Sequence, residues 1–118
     1  MYDTIIIGAG IAGLTAALYA SRNRMSFEII ASEFGGQFLE SGEVLNYPGI
    51  VETTGVAFSD LMEKQMDFNK VKVIKETVTK IKKKGSTFVV TTNKKEYETK
   101  SLILATGARA RKINIPGE

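Results

Sequence analysis

The chain contains no cysteine and no histidine. Those two absences exclude disulfides, thiol chemistry, imidazole acid–base catalysis and the usual zinc sites, so any chemistry has to be supplied by a bound group and no metal site is expected. No apolar run approaches the ~20 residues of a membrane-spanning helix, and no membrane partner is expected. Asp3, rather than a basic region, precedes the first apolar run, which argues against a signal peptide and makes a cytoplasmic setting the expectation. Charge of one sign is also scarce. Sixteen basic residues against 13 acidic ones leave a net charge of +3, too mixed to argue for nucleic acid. At 118 residues, 43% apolar and 25% charged, the chain is an ordinary globular sequence of one domain at most, short for a complete cofactor-binding enzyme.

What is present is concentrated at the beginning. Ile5-Ile6-Ile7 reads as a short parallel strand buried on both faces, and Leu14, Ala17, Leu18 and Ser21 recur as one face of a helix ending near Arg22-Asn23. Between them lies Gly8-Ala9-Gly10-Ile11-Ala12-Gly13, a G-x-G-x-x-G pattern. The strand before it and the helix after it turn a weak motif into a dinucleotide-binding expectation. The first glycine allows the turn, the second lets a pyrophosphate approach the backbone, and the third brings helix and strand together. The free N–H groups of the helix then face the phosphates.

Phe27–Ala31 reads as the second strand of a βαβ unit. The fingerprint expects a ribose-binding carboxylate about 20 residues beyond the glycines, at the carboxyl end of this strand. Glu33 is better placed for that than Glu28, which is expected to be a solvated charge at the strand's start. Gly35-Gly36 and Asn46-Tyr47-Pro48-Gly49 have turn compositions. Phe58, Leu61, Met62 and Met66 predict the core face of a second helix over 55–68 with Thr54 as N-cap, followed by a parallel strand at Val71–Ile74.

Residues 77–99 change to short alternating strands with turns at Lys84-Gly85 and Asn93-Lys94, a three-stranded antiparallel meander. The Lys82-Lys83-Lys84 run is expected to be a solvated strand end. Leu102–Ala105 predicts another buried parallel strand, with Ala105, Thr106 and Gly107 near the first glycine turn. The fold class is therefore α/β, a Rossmann-like doubly wound parallel sheet with a small meander.

Taken together, Gly8–Gly13 with Leu14-Thr15-Ala16-Ala17, Gly35-Gly36-Gln37, Glu43-Val-Leu-Asn46-Tyr47-Pro48-Gly49, Ala105-Thr106-Gly107-Ala108 and Ile115-Pro116-Gly117-Glu118 resemble the flavoprotein disulfide reductases, and among them the low-molecular-weight thioredoxin reductases. The resemblance spans essentially the whole chain. It implies FAD, with Gly8, Ala9, Gly10, Ile11, Ala12 and Gly13 around the pyrophosphate and Glu33 near the adenosine ribose. Gly36, Gln37 and Asn46 would lie toward the flavin, Val78 would meet adenine through its backbone, and Ala105, Thr106 and Gly107 would close over the cofactor. No residue of the chain is assigned a catalytic role.

Two positions depart from the family pattern. Ile11 stands where many members have proline, and Ala31-Ser32 stands where many end the second strand with a carboxylate, which leaves the ribose partner open. The resemblance further implies a split FAD domain, with an NADPH domain carrying a C-x-x-C pair and a later FAD segment beyond these 118 residues. The expected function is thus the FAD-binding portion of a protein in which NADPH reduces FAD and then a disulfide. Its expected partners are the remainder of the same flavoprotein, a thioredoxin-like acceptor and a second copy in a homodimer. A ferredoxin–NADP reductase of the thioredoxin reductase-like type and a non-catalytic nucleotide-binding chain stay open as alternatives.

Overall fold

A computed structural model describes residues 1–35 and 42–107. The element order is β1 (Thr4–Ile7), α1 (Ile11–Arg22), β2 (Phe27–Ala31), β3 (Glu43–Val44), β4 (Thr53–Thr54), α2 (Gly55–Phe68), β5 (Val73–Lys75), β6 (Val78–Lys84), β7 (Thr87–Thr92), β8 (Glu96–Thr99) and β9 (Leu102–Leu104). Four strands form a parallel sheet in the order β5-β2-β1-β9. The chain first steps outward from β1 through β2 to β5, then returns to the other side of β1. That reversal is the topological switch point of an open α/β sheet, the place where such sheets bind ligands at their strands' carboxyl ends.

Alternation along β1 and β2 assigns the two faces of the sheet. Ile6 and Ile29 join Leu14 and Ala17 of α1 and Phe58, Met62 and Met66 of α2 in one core. Ile5, Ile7 and Ile30 join Val90 and Tyr97 of the meander in a second. The parallel sheet is therefore covered by helices on one face and by the antiparallel sheet β6-β7-β8 on the other. Both faces being covered is why Ile5-Ile6-Ile7 can be uninterrupted isoleucine, since each residue has an apolar layer to enter.

Both helices end in the same way. After Asn23, Arg24 takes a left-handed φ of 55°, its N–H bonds the carbonyl of Ser21, and the Met25 N–H bonds that of Ala20. After Asn69, Lys70 takes φ 59° while Lys70 and Val71 bond Asp67 and Met66 in the same pattern. These are Schellman closures with a charged residue where glycine is usual. They explain why the strand expected at Val71 starts at Val73: Val71 is still closing α2, and its side chain is buried in the helix-side core.

Four other expectations are corrected. Leu61 is 53% exposed, so the buried face of α2 is Gly55, Phe58, Ser59, Met62 and Met66. Residues 43–54, read from sequence as loop, contain the antiparallel pair β3-β4. Glu28 is half-buried rather than solvated, because the alternation of β2 turns it to the meander face with Ile30. There burial pushes its carboxyl above the ordinary 4.5, opposed by the neighbouring Tyr2 hydroxyl and Lys95. Finally, β9 is parallel as expected but not buried. Ile103 and Leu104 are 40% and 63% exposed, since β9 is the sheet's edge among the described residues and neither covering layer reaches over its end.

Candidate functional site

The site is built at the switch point between β1 and β9. Gly8 continues the ladder, its N–H bonding the carbonyl of Ile30 at 2.9 Å, and then turns at φ 115°. A Cβ on Gly8 would stand 1.9 Å from the carbonyl oxygen of Ala105, and one on Gly13 would stand 1.9 Å from that of Gly8. Backbone is packed on backbone at both positions. The Ala105 N–H also bonds the carbonyl of Ile7 at 2.8 Å, so the segment after β9 is fixed against the end of β1.

Gly10 is different. It is the N-cap of α1, in extended conformation, and a Cβ there would meet nothing within 4 Å among the described residues. It has no side chain to cap the helix, and the first turn of α1 carries no acidic residue. The first N–H groups of a helix have no intrahelical partner, so this end presents uncapped donors and the positive end of the helix dipole to a space that no described residue fills. The hydroxyl of Thr15, the nearest polar side chain of α1, donates back to the carbonyl of Ile11 at 2.7 Å and does not compete for that space. A negatively charged pyrophosphate fits such an end: it supplies acceptors to uncapped N–H groups and meets no acidic residue on the helix's first turn.

The loop after β2 is tied to the same turn by Gly35, which the sequence reading placed in a turn and in the family motif but not among the cofactor contacts. Gly35, buried and at φ 88°, donates its N–H to the carbonyl of Ala9 at 2.7 Å. By composition the glycine pair reads as an ordinary turn, and nothing local in it points to Ala9. This bond brings Glu33, exposed two residues earlier, to the carboxyl end of β2 beside the glycine turn. Phe34 between them packs on the helix-side core.

Direct contact thus unites Gly8–Gly13, Gly35 and Ala105. Ile11 is half-buried against the helix-side core, Ala12 is exposed on the first turn, and Thr106 and Gly107 are exposed beyond Ala105, with Gly107 at φ 70°. Asn46 is exposed beside the turn Tyr47–Ile50, which is closed by the Ile50 N–H on the Tyr47 carbonyl at 3.1 Å and anchored by the Tyr47 ring 4.6 Å from that of Phe58. Val78 opens β6, three residues beyond the carboxyl end of β5 and packed on the meander-side core. Among the described residues, no hydrogen bond ties Asn46 or Val78 to the glycine turn. Gly36 and Gln37 lie outside the described residues. No group of three or more metal-ligating side chains occurs among the described residues, and no helix there is long and apolar enough to cross a membrane.

Comparison with known proteins gives this geometry a family. Residues 2–118 match the pyridine nucleotide-disulphide oxidoreductase family. The chain is 44% identical over 119 residues to a thioredoxin reductase of Treponema pallidum, covering 99% of this chain and 39% of the relative. It is 40% identical over 123 residues to that of Bacillus subtilis, covering 100% and 38%. Among solved structures, thioredoxin reductase of Lactococcus lactis superposes with a TM-score of 0.91 at 39% identity, covering 100% of this chain and 39% of that one. A ferredoxin-flavin thioredoxin reductase of Clostridium acetobutylicum superposes with a TM-score of 0.86 at 28% identity, covering 94% and 39%. The chain spans about two fifths of the length of these relatives. With a glycine turn at the switch point, a helix layer, a meander layer and this match along its length, the chain belongs to the pyridine nucleotide-disulphide oxidoreductase family.

Proposed function

We propose that this chain is the FAD-binding portion of a thioredoxin reductase-like flavoprotein, with Gly8–Gly13 holding the pyrophosphate. The observation that carries the reading is the open Gly10 at the uncapped start of α1, set between two glycines where backbone meets backbone. Glu33 accepts from the adenosine ribose. Ala105, Thr106 and Gly107 border the cofactor from the end of β9, Val78 meets adenine, and Gly36, Gln37 and Asn46 lie toward the flavin. The chemistry such a cofactor supplies is two-electron transfer from NADPH to a disulfide, with a thioredoxin-like protein as acceptor.

The chain's own residues bind and orient; none of them is a thiol or a histidine that could carry the reaction. The reductase activity therefore requires the remainder of the flavoprotein, which also completes the cofactor site and works as a cytoplasmic homodimer. Titration of the purified chain with FAD, followed by quenching of flavin fluorescence, tests this. Saturable but weak binding, lost on dialysis and strengthened when the remainder of the protein is added in trans, is the expected result. A chain that retains stoichiometric FAD through dialysis would contradict the reading of a partial site, and a chain that never binds FAD, with or without that remainder, would contradict FAD binding itself.

A further inference from the structure

Two residues, Glu76 and Thr77, join β5 to β6, and the β7–β8 hairpin holds both of them. Asn93, exposed in the turn of that hairpin, takes both backbone groups of Thr77. Its side-chain oxygen accepts from the Thr77 N–H at 2.9 Å, and its own N–H donates to the Thr77 carbonyl at 3.0 Å. Glu76 reaches the strands on either side of the turn, where one carboxylate oxygen accepts from the hydroxyls of Thr92 and Tyr97 at 2.6 and 2.9 Å.

The consequence falls on the next residue, Val78. Rungs of an antiparallel ladder alternate between hydrogen-bonded and non-hydrogen-bonded pairs. Because Thr77 turns its N–H and carbonyl toward Asn93, the adjoining pair Val78–Thr92 is of the second kind, and the Thr92 N–H goes instead to the Lys95 carbonyl at 2.8 Å. The N–H and carbonyl of Val78 therefore point away from β7, to the side of β6 on which the described residues place no strand. A register shift between Val78 and Lys80 breaks the regular ladder just there, as bulges do where a strand re-aims its groups. The position is at the ligand-binding end of the parallel sheet: Lys75 pairs with Ala31, so Val78 and Glu33 follow the carboxyl ends of neighbouring strands.

We propose that Asn93, braced by Glu76, is a positioning residue for the cofactor's adenine: it holds Thr77 inward and so keeps the Val78 N–H and carbonyl outward, a donor and an acceptor on one edge. The inference rests on the meeting of adenine with Val78 in the function proposed above. Such an edge matches adenine, whose amino group donates beside a ring nitrogen that accepts. It opposes hypoxanthine, which carries a keto acceptor in place of that amino donor. Asn93 and Glu76 act on the base only through this backbone, and an edge fixed in advance spends less ordering when the base arrives.

Calorimetric titration of the chain with adenosine diphosphate, inosine diphosphate and inorganic pyrophosphate, beside FAD, tests the assignment, with urea unfolding of every variant. Wild type should prefer adenosine diphosphate over inosine diphosphate by about tenfold. Asn93→Ala, a change in an exposed turn, should lose that preference by weakening adenosine diphosphate alone, with the other two probes held within about twofold. Asn93→Asp keeps a side-chain oxygen to accept from Thr77 and should retain the preference. Glu76→Ala should reduce it, and Glu76→Gln, which keeps an oxygen for Thr92 and Tyr97, should retain it even though it is less stable. A residue that only stabilised the fold would weaken all three probes together or none of them. An intact preference in folded Asn93→Ala, or its loss in Asn93→Asp as well, would overturn the proposal, as would a wild-type chain that binds both nucleotides equally; each of these leaves FAD binding standing. A wild-type chain that binds neither FAD nor adenosine diphosphate, with or without the remainder of the protein, would overturn the proposed function and this inference with it.

Discussion

The glycine turn at the end of β1 and the meander on one face of the sheet are held by opposite means. At the glycine turn the decisive contacts are backbone on backbone: Gly8 against Ala105, Gly13 against Gly8, and the Gly35 N–H on the Ala9 carbonyl. In the meander the decisive contacts are side chains. The hydroxyls of Thr92 and Tyr97 both donate to one carboxylate oxygen of Glu76, at 2.6 and 2.9 Å, while Thr92 accepts from the N–H groups of Lys94 and Lys95. The Tyr97 hydroxyl is pushed up to about 12 by its burial and by Glu76, so it stays a donor. A backbone site tolerates no added atom where chains touch and demands none where a ligand enters. A side-chain site tolerates changes at its rim but responds to protonation.

The largest expected effect comes from adding one methyl group where backbones touch. Gly8→Ala and Gly13→Ala should each destabilise the fold by about 3 kcal/mol, Gly8 at least as much as Gly13 because it also holds a left-handed φ. Urea unfolding of the two variants measures this directly. A near-wild-type midpoint for either would show that β9 can shift away from β1 at little cost.

A smaller effect, with opposite signs at two carboxylates, is expected in the meander layer. Bonds from Thr92 first, then from Tyr97, with Lys94 and Lys95 nearby, hold Glu76 below its ordinary 4.5. Its contribution to stability is therefore present above the unfolded value and lost as pH falls through the folded one. Glu28 runs the other way. Burial raises it, so its charge costs stability at neutral pH and the cost disappears as pH falls through the raised value toward 4.5. Thermal melts across acid pH should show Glu76→Gln destabilising and Glu28→Gln stabilising near neutrality, with the two melting curves converging on wild type in acid. A pH-independent difference would remove either carboxylate from the account.

The smallest effect tests the rim. Lys82, Lys83 and Lys84 are exposed along β6 and have no ion-pair partner among the described residues. Replacing all three with glutamine should change stability by no more than about ±0.5 kcal/mol per site and leave cofactor affinity within a few-fold. A tenfold loss of affinity would give the run an electrostatic role at the site.

Much of this was legible in sequence where a local pattern has one physical solution. Three isoleucines before a glycine turn predicted β1, the helical recurrence of Phe58, Leu61, Met62 and Met66 predicted α2, Thr54 caps it by accepting from the Ala57 N–H as its position implied, and two turn pairs predicted the meander. What the pattern could not carry was which partner a face meets. Leu61 has the hydrophobicity of a core residue but lies on the outer face of α2, and Leu104 has it but sits at a sheet edge. Glu28 looked solvated because a charge at a strand's start usually is, whereas the period of β2 obliged it to face the meander. At the glycine turn, the strand-to-helix positions of Gly8, Gly10 and Gly13 were readable from spacing. The role of Gly35 was not, because its contact with Ala9 spans the loop between two strands and leaves no local mark.

Gly10→Val tests the central claim most directly, that the open backbone at the start of α1 is the dinucleotide cradle. Since a Cβ at Gly10 meets no atom of the described residues within 4 Å and the residue is not left-handed, the variant should fold. Far-UV circular dichroism and the urea midpoint of Gly10→Val should stay close to wild type, while a fluorescence titration shows FAD affinity falling by about tenfold or more. A folded Gly10→Val chain that binds FAD as tightly as wild type would contradict the claim and move the cofactor away from the glycine turn.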